Sequence, residues 1–118
     1  MRDAFSNLEP EVAWRAEYLL DILRYYGVPA RITDTRRSSV EQFRLYLRGR
    51  VTQGPIVTRA RPGSSLHEAG RAFDITFLGP GYHAPERWWQ FAGAVGRYLG
   101  LRWGGDFRTF RDRPHFER

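Results

Sequence analysis

At 118 residues, with 42% hydrophobic and 15% aromatic side chains, the chain has material for one packed core and too little for a second domain, which excludes a disordered basic tail. Cysteine is absent, so disulfides and thiolate ligands are excluded and any metal site must be built from histidine and carboxylates. The formal charge of +6 comes from nineteen basic residues, all arginine, and favours a polyanionic partner such as nucleic acid, a membrane surface or a bacterial wall.

The first residues lead into Ser6, Asn7 and acidic side chains instead of an apolar signal core, and no run approaches membrane-spanning length. The expectation is a soluble chain made in the cytosol, with no membrane insertion. From Ser6 to Tyr26, Val12, Ala16, Leu19, Leu20 and Leu23 recur at helical spacing, with Ser6 and Glu9 placed as a capping box and Gly27 as the stop. Ala30 to Thr35 alternates after a proline and predicts a short strand. A second helix is predicted from Ser38, where Glu41 repeats the capping pattern, through Phe43 and Tyr46 to Gly49. Gly54, Pro55 and the run Pro62 to Ser65 then mark a long connection, interrupted only by the strand-like Ile56-Val57-Thr58. Connections of that length usually line a site.

Gly70 to Leu78 predicts a strand, and Gly79-Pro80-Gly81 turns the chain toward a third helix opened by Pro85 and closed by Gly100. Trp88, Ala92, Val95 and Leu99 are its expected buried face. Trp103-Gly104-Gly105-Asp106 leads through Asp112-Arg113-Pro114 to a last short strand, His115-Phe116-Glu117. Internal repeats and low-complexity segments are absent.

The chemistry concentrates in Ser65 to Asp74, which brings His67 and a carboxylate to either side of a glycine turn. Period-two alternation puts Ala72, Asp74 and Thr76 on one face of the following strand and Phe73, Ile75 and Phe77 on the other. A mid-strand aspartate between small neighbours needs a partner for its charge, and a metal ion beside His67 would supply one. Catalytic zinc takes three protein ligands and leaves a fourth place for water. His83, in a turn before a helix, reads as a surface or capping residue. His115 is the better third ligand, because Arg113-Pro114 bends the chain so that it and Asp112 converge. An ion that acidifies water, beside a carboxylate that takes and returns the proton, makes a hydrolase. Taken singly, each His or Asp is more often a solvated or hydrogen-bonded side chain than a ligand, and spacing alone leaves both readings open.

The pattern Ser-x-His-x-x-Gly-x-Ala-x-Asp at Ser65 to Asp74, together with Asp112-Arg113-Pro114-His115-Phe116, resembles the D-alanyl-D-alanine carboxypeptidase and L-alanyl-D-glutamate endopeptidase family of zinc peptidases, which shares its fold with the hedgehog signalling domain. The likeness extends through Arg37-Ser38, Glu41-Gln42, Leu45-Tyr46, Gly49-Arg50, Val57-Thr58 and Trp103 to Asp106, covering nearly all the chain from residue 29. It implies an α+β domain with a small antiparallel sheet bearing zinc, packed with about three helices. It also implies His67, Asp74 and His115 as zinc ligands and Asp112 as catalytic base. Arg37 matches an arginine thought to steady substrate or oxyanion, although one of two adjacent arginines before a helix also reads as a solvated side chain. Ser65 and Gln42 match positions that line or buttress the site. Asp106 is either a carboxylate orienting a ligand histidine or a plain turn residue.

Asp-x-x-His at residues 112–115 is similar to the phage endolysin branch, whereas related carboxypeptidases carry Glu-x-x-His. Asp34-Thr35-Arg36 departs from the small and aromatic residues that usually precede the family's arginine. The expected protein is therefore a monomeric, single-domain zinc endopeptidase over residues 1–118. It would cut the L-alanyl-D-glutamate bond of peptidoglycan as a phage or prophage endolysin that reaches the wall after release. A D,D-carboxypeptidase on the same scaffold and a non-catalytic zinc-binding domain are the alternatives. No basic stripe interleaved with stacking aromatics supports nucleic acid as the partner.

Overall fold

Proline at position 10 decides where the first long helix begins. It lacks a backbone N–H and has its φ preset, so it takes the first helical position of α1, Pro10–Tyr25. In this computed structural model, which describes residues 4–58, 60 and 65–118, a 3-10 turn over Ala4–Asn7 precedes α1. The expected Ser6–Glu9 capping box does not form: Glu9 is the N-cap and makes no side-chain cap bond. The box expected at the second helix does form, with Ser38 and Glu41 bonded reciprocally at the start of α2, Ser39–Leu47.

Three of the four strands lie where the sequence predicts them, β1, Ala30–Asp34, β2, Ala72–Phe77, and β4, His115–Glu117, and a two-residue strand that it did not predict, β3, covers Arg102–Trp103. They form one antiparallel sheet in the order β1-β2-β4-β3. Residues 56–58 carry no strand, and the described part of that connection has only an isolated bridge between Arg48 and Thr52.

The remaining long helix, α3, covers Glu86–Tyr98 and lies across the sheet with α1. Its buried face is Trp89, Ala92, Gly93, Val95 and Gly96, rotated from the expected Trp88, Ala92, Val95 and Leu99. The two glycines explain the rotation. A Cβ on Gly93 would strike the Trp103 ring, and one on Gly96 would lie 2.6 Å from the Phe116 ring, so this helix packs backbone against aromatics. Trp88 and Leu99 are only partly buried at the edge of the core. Phe73, Ile75 and Phe77 of β2 enter that core with Leu19, Leu23 and Phe116, leaving the opposite sheet face for polar residues. Among the described residues no helix is long and apolar enough to cross a membrane.

Candidate metal centre

The polar face of the sheet is organised by register. Asp74 of β2 is the cross-strand partner of His115 of β4, so both side chains leave the sheet on the same side. His67 arrives from the turn at residues 66–70, where its N–H bonds Ser65 Oγ at 3.2 Å and its carbonyl accepts from Arg37 N and Gly70 N. Gly70, at φ 72°, makes the left-handed bend that leads back into β2.

His67 Nε2 and His115 Nδ1 stand 3.2 Å apart, and each is 3.3 Å from Asp74 Oδ1. These side chains form a group able to hold a metal ion. Donors placed tetrahedrally around zinc at its usual bond lengths are spaced about 3.3 Å, so the triangle has the size the ion needs. Its tautomers agree. His67 Nδ1 donates to the Thr35 carbonyl at 2.7 Å, and His115 Nε2 donates to Glu117 Oε1 at 2.7 Å. With both rings neutral, the inner nitrogens present lone pairs to each other and to Asp74 Oδ1, a buried oxygen that then has no hydrogen-bond partner. Three acceptors converging without a donor could hold a cation, and a nitrogen and carboxylate set suits zinc.

Titration behaviour fits such a site. Burial disfavours the charged form of Asp74, but the hydrogen bonds and positive charge that His115 and His67 offer it when protonated outweigh burial and hold the carboxyl well below its usual range. Burial also opposes charge on His115, yet Asp74 and Glu117 push its imidazole up to about 9. A divalent cation bound here would compete with a proton for one anionic place.

Arg37 closes one side. Its Nε bonds Asp34 Oδ2 at 2.7 Å, Nη1 bonds Gln42 Oε1 at 3.0 Å, and Nη2 lies 3.5 Å from Asp74 Oδ2. Gln42 is fully buried and donates to Thr58 Oγ1 and the Ala60 carbonyl, tying the long connection to the site. A groove of about 360 Å³ runs over the centre, lined by Arg37, Ser65, Phe107, Phe110, Asp112 and Glu117, among others. Burial, followed by the charge of Asp74, raises the pKa of Asp112. Asp112 is positioned through its backbone, with its N–H on Gly104 O and its carbonyl accepting from His115 N.

The structure thus brings together His67, Asp74, His115, Arg37, Gln42, Ser65 and Asp112. It does not bring Asp106 to a histidine: that carboxylate pairs with Arg97 at 2.8 Å on the exposed surface, held there by the 3-10 turn Gly104–Asp106. Glu117 is the carboxylate against His115, and sequence reading missed it although it lies on the same strand face two residues on. Phe107 and Phe110, which wall the groove, carried no signal beyond hydrophobicity. His83 is exposed, as expected. Asp34, a departure from the family pattern, bonds the site arginine directly.

Residues 58–118 match the model of the D-alanyl-D-alanine carboxypeptidase family. The chain is 34% identical to the peptidoglycan L-alanyl-D-glutamate endopeptidase CwlK of Bacillus subtilis, over 95% of this chain and 74% of that protein. It belongs to this peptidase family. Among solved structures, the L-Ala D-Glu endopeptidase ChiX of Serratia marcescens superposes with a TM-score of 0.67 at 23% identity, covering 97% of this chain and 82% of that one. The vancomycin resistance D,D-pentapeptidase VanY, in complex with Zn(II), gives a TM-score of 0.64 at 18% identity, covering 93% and 71%. Both likenesses establish the fold.

Proposed function

We propose that this protein is a zinc-dependent endopeptidase that hydrolyses the L-alanyl-D-glutamate bond of peptidoglycan stem peptides. The observation that carries the reading is the convergence of three lone-pair donors on one point, in a groove that also holds Asp112 and Arg37. The choice of bond is supported by the likeness to CwlK and by aspartate at position 112.

His67, Asp74 and His115 would hold the ion, which when bound acidifies water and polarises the scissile carbonyl. Asp112 takes the proton of the attacking water and passes it to the leaving amine. Its raised pKa brings it nearer to that task than an ordinary surface aspartate. Arg37, its Nε and Nη1 already fixed by Asp34 and Gln42, sets a rigid positive charge beside the groove where negative charge develops. Phe107 and Phe110 supply apolar surface to the lining of the groove.

Mass spectrometry of purified peptidoglycan after digestion tests the proposal. New N-terminal D-glutamate, lost with chelator and restored by zinc, is the expected product; release of free D-alanine instead would make the protein a carboxypeptidase. A role as a phage or prophage endolysin is the further reading. The charge of +6 supports it through attraction to an anionic wall, and lysis should then weaken as salt rises.

A further inference from the structure

We infer that Glu117 is a positioning residue for the metal centre: anchored by Arg102, it holds the His115 imidazole with Nδ1 turned toward His67 and Asp74. The two ligand histidines are oriented by different means. His67 rests on a backbone carbonyl, that of Thr35, which substitution cannot delete. His115 rests on a side chain, through the 2.7 Å bond from Nε2 to Glu117 Oε1.

The strand makes this contact almost unavoidable. His115 and Glu117 are two residues apart on β4 and share a face, while Phe116 between them enters the core. Glu117 is in turn the register partner of Arg102 on β3, and the Arg102 guanidinium pairs with its other carboxylate oxygen. The Glu117 side chain is only 13% exposed and the His115 side chain 11%, so water competes poorly for the bond between them. Without it, nothing polar among the described contacts holds Nε2, and the ring is free to present carbon instead of Nδ1 to the ion. The packing of the Phe107 ring on His115, with centroids 5.8 Å apart, restrains tilt but does not choose between ring faces. A carboxylate on the outer nitrogen also raises the basicity of the inner one.

The inference concerns the metal centre on which the proposed function rests and needs no knowledge of substrate. Zinc affinity is measured by competition with a chromophoric chelator, and coordination by the visible spectrum of the Co(II)-loaded protein. Glu117→Ala should weaken zinc binding by about 10- to 100-fold. Glu117→Gln keeps the size and one acceptor oxygen, so its loss should be on the order of threefold to tenfold, the gap between a charge-assisted and a neutral bond. Thermal melting of the metal-free proteins separates these losses from unfolding, and the isosteric Gln variant decides the matter should the Ala variant fail to fold. Zinc affinity and Co(II) spectra like wild type in the folded variants would overturn the inference. So would a raised KM at unchanged zinc affinity, which would make Glu117 a substrate contact. Zinc losses as expected in a protein that leaves peptidoglycan uncut would remove only the substrate reading.

Discussion

The Gly104 carbonyl accepts the Asp112 N–H at 3.0 Å, and a Cβ built on Gly104 would collide with the carbonyl oxygen of the same Asp112. That Cβ would also sit 3.0 Å from the Cβ of His115. One glycine therefore sets where the proposed base stands relative to a proposed metal ligand. Gly104→Ala should displace both residues, and a misplacement of about 1 Å costs about 100-fold in rate. Steady-state kinetics on a stem peptide, with thermal unfolding in parallel, checks this; wild-type kcat in the variant would show that the loop adjusts freely.

Asp112 itself is tested more directly. Asp112→Asn keeps the shape but cannot take a proton, so kcat should fall by about 10²- to 10⁴-fold. Zinc affinity should change little, because Asp112 is not among the three converging donors. Full-rate wall lysis by this variant would remove it as the base.

Metal removal should reach beyond activity. A ligand that binds only the folded state stabilises it by about 4 kcal/mol at a thousandfold excess over Kd. Calorimetry with chelator should therefore show a lower melting temperature, recovered on adding zinc. Asp74→Ala should abolish the recovery; an unchanged zinc response would place the ion elsewhere.

Packing under the site has its own sensitive point. Gly96→Ala would set a methyl 2.6 Å from the Phe116 ring, whose neighbours along β4 are His115 and Glu117. Overpacking of this kind costs about 1–3 kcal/mol. Denaturant unfolding should show a lower midpoint, and a midpoint equal to wild type would mean that α3 lifts without cost.

The start of α2 gives a pH-dependent prediction. The Ser38 backbone N–H, and then its side chain, hold the Glu41 carboxyl below its ordinary value. A lowered folded pKa stabilises the protein above the ordinary carboxyl range, and the contribution is lost as pH falls through the folded value. Ser38→Ala should cost about 1 kcal/mol at pH 7. The smaller deficit of Glu41→Gln should vanish in acid, as urea midpoints at pH 7 and pH 3 would reveal.

Much of this was readable along the chain, and what was not has physical causes. Alternation around Asp74 and the Ser38–Glu41 pair are local signals, and local structure obeys them. The buried face of α3 was misplaced because hydrophobicity marks side chains, whereas Gly93 and Gly96 bury by having none. Pro10 overrode Ser6 at the first helix because a missing N–H and a fixed φ outweigh a favourable cap. Asp106 and Glu117 are both acidic residues near histidine in sequence. Strand register decides between them, pairing Glu117 with Arg102 and leaving Asp106 to Arg97 outside the sheet.

The three proposed metal ligands come from a turn and from two central strands, and they meet only when β4 lies beside β2. An ensemble lacking that pairing would bring at most two of them together, one fewer than a catalytic zinc site takes. The proposed hydrolysis thus depends on the pairing of the two central strands. A molecule in which β4 has left β2 would lack the complete donor set, so loss of that one strand pairing should silence the proposed hydrolysis.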